Sequence, residues 1–134
     1  MKVLTFGVFD YFHYGHLKLL ERCKKLGDYL IVAVQDGDQI LINKPNTKIM
    51  YSTSQRKEML EAIKYVDEVV IYKQVVDDIK NINFDILVVG GDQNHEGFKK
   101  AIEWCNKNGK TVKYLKRTPN ICSSDIKKSK NCDF

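Results

Sequence analysis

The run Tyr29–Val34 is apolar at every position. A strand with one wet face would alternate polar and apolar residues, so this one must be covered on both sides. That points to a parallel sheet between two helical layers. Four shorter runs extend the pattern: Lys2–Phe6, Glu68–Tyr72, Asp85–Val89 and Thr111–Leu115 each read as a strand. Helical spacing fills the intervals. Over His16–Leu26 the residues Leu19, Leu20, Cys23 and Leu26 share one face, with Gly27 where a C-terminal cap is expected. Thr53 or Ser54 caps a helix running to about Tyr65, with Met59, Leu60 and Ile63 inward. Val75–Ile82 reads as a short helix and Gly97–Asn108 as a longer one closed by Gly109. Residues 36–52 are polar and broken by Lys44-Pro45-Asn46. They read as a surface loop with at most a short helical turn, at a length more typical of functional than of incidental loops. Ser123–Ser129 opens a last helix, and the tail from Lys130 is expected to fray.

Alternating strands and helices with short connectors make right-handed crossovers. The expected fold is α/β and Rossmann-like: one domain over 1–134, with a five-stranded parallel sheet and helices on both faces. Ligands in such sheets bind beyond the carboxyl ends of the strands, where the strand order reverses. The segments 7–16, 90–92 and 117–124 all follow strands.

The chain has 134 residues, 43% of them hydrophobic, which suits a globular protein. No apolar stretch approaches the roughly 20 residues a membrane span needs, and the first residues lack a signal-peptide pattern. A cytoplasmic protein without a membrane partner is expected. The formal charge of +5 favours an anionic substrate. The lysines are scattered, so nucleic acid is not an expected partner. Cys23, Cys105, Cys122 and Cys132 form no C-x-x-C pair. They read as reduced thiols, with Cys23 and Cys105 as small core residues on helices.

The chemistry concentrates in Gly7-Val8-Phe9-Asp10-Tyr11-Phe12-His13-Tyr14-Gly15-His16, directly after the first strand. His13 and His16 are three residues apart and can share the first turn of a helix. Backbone N–H groups and the positive end of the helix dipole lie there. Imidazoles in that position can donate to phosphate oxygens and stabilise charge that grows during phosphoryl or nucleotidyl transfer. Asp10 is either an indirect participant or a residue that orients the loop. No Cys, Asp or Glu stands at a zinc-like offset from the histidines, so no protein-held metal is expected. Near the other end, Arg117 supplies a planar fork suited to phosphate. Ser123 and Ser124 bring hydroxyls and N–H groups to a helix start. Gly90-Gly91 allow close backbone approach to a ligand, and Asp92 is placed to bind a ribose hydroxyl, position a metal or simply make a turn.

The segment Gly7-Val8-Phe9-Asp10 followed by His13-Tyr14-Gly15-His16 resembles the G-x-F-D-x-x-H-x-G-H motif of the nucleotidyltransferase superfamily, which includes the cytidylyltransferases and several adenylyltransferases. Arg117-Thr118-Pro119-Asn120-Ile121-Cys122-Ser123-Ser124 resembles its R-T-x-G-I-S-T-T element, departing at Asn120 and Cys122. The two elements stand in the family's order and separation over nearly the whole chain. The resemblance implies catalytic roles for His13, His16, Lys44 and Arg117. It implies nucleotide contacts from Gly7, Val8, Phe9, Gly15, Lys48, Asp92, Thr118, Ile121, Cys122, Ser123 and Ser124 as well. Arg56 and Asp67 align with charged positions near the family's site, with a helix-terminus charge pair as the plainer reading.

The implied reaction is CMP transfer from CTP, with Mg²⁺, to a small phosphorylated alcohol, and the implied assembly is a homodimer. In its shortness and its Arg117-Thr118 pair the chain looks most like the members of that family that act on glycerol 3-phosphate, and the resemblance implies that acceptor and a product feeding a cell-surface polymer. Cys122 and Gly90-Gly91-Asp92 are also similar to adenylyltransferases acting on sugar 1-phosphates. A non-catalytic nucleotide-binding module is the third reading.

Overall fold

The computed structural model describes residues 1–90 and 96–115. Strands β1 (Lys2–Gly7), β2 (Tyr29–Gln35), β3 (Glu68–Tyr72), β4 (Ile86–Gly90) and β5 (Thr111–Leu115) form one sheet in the order β3-β2-β1-β4-β5. Every pairing is parallel. The chain builds one flank from β1 through β2 to β3, then crosses to β4 and β5. The order therefore reverses between β1 and β4, and the carboxyl ends of these strands mark the switch point where such sheets bind ligands.

The helices are α1 (Tyr14–Lys24), α2 (Gly37–Asn43), α3 (Thr53–Glu61), α4 (Val75–Asp78) with a 3₁₀ turn over Ile79–Asn81, and α5 (Glu96–Lys107). They cover both faces, as β1 and β2 show by sending alternate side chains to opposite sides. Leu4, Phe6, Ile31 and Ala33 pack with Val75, Ile79, Phe98, Ala101 and Cys105 of α4, the 3₁₀ turn and α5. Val3, Leu30, Val32 and Val34 pack with Leu20, Cys23 and Leu60 of α1 and α3. The two layers explain why Tyr29–Val34 carries no polar position. Each fully buried Leu, Val, Ile or Phe contributes about 1.5–3 kcal/mol from burial. Cys23 and Cys105 lie in these cores as expected, both fully buried.

Several element bounds differ from the sequence expectation. Helix α1 begins at Tyr14 rather than His16, because His13 itself caps it. Gly27 is not its left-handed cap: a Cβ there would lie 2.4 Å from the Met1 carbonyl oxygen, so glycine is needed for close backbone approach. Gly109 does take a left-handed φ, of 71°, just after α5. Residues 37–43, read as loop, form α2, although Ile40 is its one buried residue. The cap of α3 is Ser52, neither Thr53 nor Ser54, and α3 ends at Glu61, short of Tyr65. Gln55 decides the cap: its side chain accepts from Ser52 N at 3.0 Å while Ser52 Oγ accepts from Gln55 N at 3.1 Å, a reciprocal capping box. Among the described residues no helix is long and apolar enough to cross a membrane.

Candidate active site

The turn from β1 into α1 is wound tightly. Phe9 and Tyr11 have φ of 54° and 52°, left-handed backbone that costs a residue with a side chain about 1–2 kcal/mol. The turn ends in His13, whose extended backbone starts α1. His13 Nδ1 accepts from Gly15 N at 3.0 Å, and His16 Nδ1 accepts from His13 N at 3.3 Å. Two imidazoles thus do what Ser and Glu do in an ordinary capping box. Their rings stack, with centroids 4.0 Å apart and planes 19° from parallel.

This arrangement settles the tautomers. A ring nitrogen that accepts a backbone N–H cannot carry a proton, so each neutral imidazole is assigned its proton at Nε2. Both histidines are then Nε2–H donors beside the positive end of a helix dipole. His16 is also walled by rings: Phe9 meets it edge-on at 5.4 Å and Phe12 lies tilted at 5.3 Å. Burial, helped by the charge of His13, pulls the His16 imidazole down to about 3. At neutral pH it is an uncharged donor and a poor base, suited to stabilising an anionic transition state rather than to taking a proton.

Arg56 lies beneath this turn with no exposed surface. Its Nη1 donates to the carbonyls of Val8 at 3.0 Å and Gln35 at 2.8 Å, its Nε to Tyr51 O at 3.2 Å, and its Nη2 to Thr53 Oγ1 at 3.3 Å. One guanidinium thereby joins the ends of β1 and β2 to the start of α3. Burial pulls its pKa below the ordinary value, and the charges of Asp10 and Asp36 oppose that pull. Asp10 completes the frame by accepting from Met50 N at 2.7 Å and Tyr51 N at 3.0 Å. Thr53 Oγ1 also accepts from Gly37 N at 2.8 Å, fixing the start of α2.

The predicted site residues divide into groups. Gly7, Val8, Phe9, Asp10, His13, Gly15 and His16 share the β1–α1 turn at the switch point. The Gly15 amide is engaged by His13, and the Phe9 ring is buried while Val8 is exposed. Lys44 and Lys48 are exposed in the segment that Asp10 ties to this turn. Gly90 ends β4 beside β1. Asp67 lies at the amino ends of β2 and β3, away from the turn, where it pairs with Lys24 and accepts from Leu30 N at 2.7 Å; Arg56 bonds elsewhere, so the two do not form a charge pair. Gly91, Asp92, Arg117, Thr118, Ile121, Cys122, Ser123 and Ser124 lie outside the described residues. The framing role of Arg56 was not anticipated, although its spacing from Leu60 and Ile63 put it on the inward stripe of α3. Phe12 was not among the expected site residues, and Thr53, expected as a helix cap, instead accepts from Gly37 N and from Arg56.

A family model described as cytidylyltransferase-like matches residues 4–129. The chain belongs to the cytidylyltransferase-like family. Glycerol-3-phosphate cytidylyltransferase of Bacillus subtilis (strain 168) is 43% identical over 129 residues, covering 94% of each chain. Its counterpart in Staphylococcus aureus (strain NCTC 8325 / PS 47) is 40% identical, covering 94% of this chain and 92% of that one. FAD synthase of Thermococcus sibiricus (strain DSM 12597 / MM 739) is 34% identical and covers 96% of this chain and 87% of its own. Among solved structures, the lipopolysaccharide core biosynthesis protein of Thermoplasma volcanium GSS1 superposes with a TM-score of 0.71 at 27% identity, over 88% of this chain and 96% of that one. Like other members of the cytidylyltransferase-like family, this chain is an enzyme, a nucleotidyltransferase on a Rossmann-like fold.

Proposed function

We propose that this nucleotidyltransferase moves CMP from CTP to glycerol 3-phosphate, releasing pyrophosphate and a CDP-alcohol. The capped histidine pair carries the reading, because it offers two Nε2–H donors to a polyphosphate at the head of α1. Relatives of 40–43% identity over nearly the whole chain supply the choice of base and acceptor. The acceptor phosphate is already a nucleophile and attacks the α-phosphorus in line, so no covalent enzyme intermediate is needed. Catalysis then rests on positioning and on donors aimed at growing negative charge. Lys44, Lys48 and Arg117 are assigned to phosphate oxygens in this scheme, with Asp92 and residues 118 and 121–124 completing the nucleotide site.

The scheme includes Mg²⁺ as the partner of the triphosphate. Among the described residues no three His, Cys, Asp or Glu converge to hold a metal, and both Asp10 oxygens are engaged by backbone N–H groups. These residues do not form a cage for the ion. A cytoplasmic homodimer supplying a cell-surface polymer is the setting proposed for the activity. Light scattering reads the assembly.

The deciding experiment incubates the protein with CTP, Mg²⁺ and glycerol 3-phosphate and follows pyrophosphate release. Turnover supports the reading, and silence across a panel of phosphorylated alcohols overturns it. A second reading, adenylyl transfer, is favoured by the FAD synthase relatives, since FAD contains an adenylate. A larger thermal shift with ATP than with CTP would select it, because a ligand stabilises in proportion to its occupancy of the folded state.

A further inference from the structure

We propose that Phe9 is a positioning residue for nucleotidyl transfer: its ring, admitted by the missing side chain of Gly7, holds the His16 imidazole as a neutral Nε2–H donor. Three separate observations converge on it. First, Phe9 carries a left-handed φ of 54°, a conformation rare for an aromatic residue and retained where surrounding structure compels it. Second, a Cβ on Gly7 would stand 2.7 Å from Phe9 Cε2 and 2.9 Å from Cζ, so any side chain at position 7 expels the ring. Third, the ring meets His16 edge-on at 5.4 Å, alongside the stacked His13 ring at 4.0 Å and the tilted Phe12 ring at 5.3 Å.

Phe9 and His16 are 5% and 7% exposed, so the contact shuts water away from the imidazole. Desolvation disfavours the charged ring. Protonation at His16 Nδ1 would set N–H against the N–H of His13 and open the capping box. The charge of His13 acts on His16 in the same direction as burial. Phe9 and Phe12 carry no charge. A loop that fixes a donor in its uncharged form keeps the donor's geometry constant across the neutral range. This role differs from the direct nucleotide contact that the family resemblance implies for Phe9.

The test follows the His16 ring by NMR titration in native protein, Phe9→Leu, Phe9→Gly and Gly7→Ala. Phe9→Gly relieves the left-handed backbone while removing the ring, so it stays folded if strain is the only other issue. Phe84→Leu, at a fully buried ring before β4 on the other face of the sheet, controls for general loss of packing. His16 is expected to remain neutral down to about pH 4 in native protein and in Phe84→Leu, and to titrate at least one unit higher in the three loop variants. In pyrophosphate release, the variant-to-native ratio of kcat is expected to fall from pH 8 to pH 5 in proportion to the fraction of His16 that the NMR titration shows protonated in each loop variant. An unchanged His16 titration in all three loop variants overturns the proposal, as does an equal shift in Phe84→Leu. The inference rests on the proposed transfer reaction only for its kinetic arm. The NMR arm needs no substrate, so an error in the substrate leaves that result standing.

Discussion

His13 and His16 lie ring on ring at 4.0 Å, each with its Nδ1 bound to a backbone N–H of the same helical turn. One pair of side chains therefore starts α1 and, in the proposed reaction, presents two donors. The two roles separate in a substitution. His13→Ala is expected to lower kcat about a hundredfold, the typical loss for one preorganised donor, and stability by about 1 kcal/mol through the lost cap. His13→Asn, a good cap, should recover the stability and leave the rate low. Urea unfolding and pyrophosphate release measured side by side check this.

Arg56 holds three backbone carbonyls, those of Val8, Gln35 and Tyr51. Arg56→Met removes the donors and leaves Val8, Gln35 and Tyr51 oxygens to find others. An expected loss of about 2 kcal/mol follows from the desolvation cost of orphaned, partly buried acceptors. Arg56→Lys keeps the charge but not the fork, and it should recover less than half of that loss. Equal stability of Arg56→Met and native protein in denaturant melts would refute the framing role.

Asp10 acts on the lysine-bearing segment through Met50 and Tyr51. Asp10→Asn retains one acceptor and turns an NH₂ toward the other amide. Hydrogen exchange at the Met50 and Tyr51 amides is expected to accelerate at least tenfold, about 1.4 kcal/mol of local opening, with α5 exchange unchanged. A rise in KM larger than any fall in kcat should accompany it.

Stability should fall as pH drops below 6.5, and His16 is the reason. Its folded pKa is depressed from 6.5 to about 3, so between those values the unfolded chain binds the proton and the folded protein does not. Linkage then makes stability rise with pH over that window, with a slope approaching about 1.4 kcal/mol per pH unit for one proton. Below the folded pKa the slope vanishes. His16→Gln should flatten the profile from pH 6 to pH 4 relative to native protein. Glu21, depressed to about 2 by hydrogen bonds from Lys18 and Tyr65, has the same sign in a lower window. Its stabilising pair is present above the ordinary carboxylate value and is lost as pH falls toward 2. Chemical denaturation at a series of pH values distinguishes the two.

Strands β2 and β4 were legible because burial on both faces leaves no polar position at their centres to confuse the pattern. Helix α2 was not, since Leu41 and Ile42 are exposed and only Ile40 is buried, which erases the helical period. Three candidate hydroxyl caps in a row hid the start of α3, yet the Ser52–Gln55 spacing held the answer. The histidine pair could be placed at a helix start from its spacing. Its capping role and its tautomers required coordinates. So did the clamp from Asp10 to Met50, a contact across 40 residues with no local signature. The left-handed backbone at Phe9 and Tyr11 also breaks the preferences that sequence reading relies on.

The central place of β1 sets the order in which the enzyme can be assembled during synthesis. Its one edge joins β2 as soon as residue 34 is available, whereas its other edge waits for residues 86–88. A nascent chain therefore carries the histidine turn early on a half-built sheet with an open flank, a sticky ribbon edge. Competence arrives with the second half of the polypeptide, and premature termination before β4 would leave a fragment primed to aggregate.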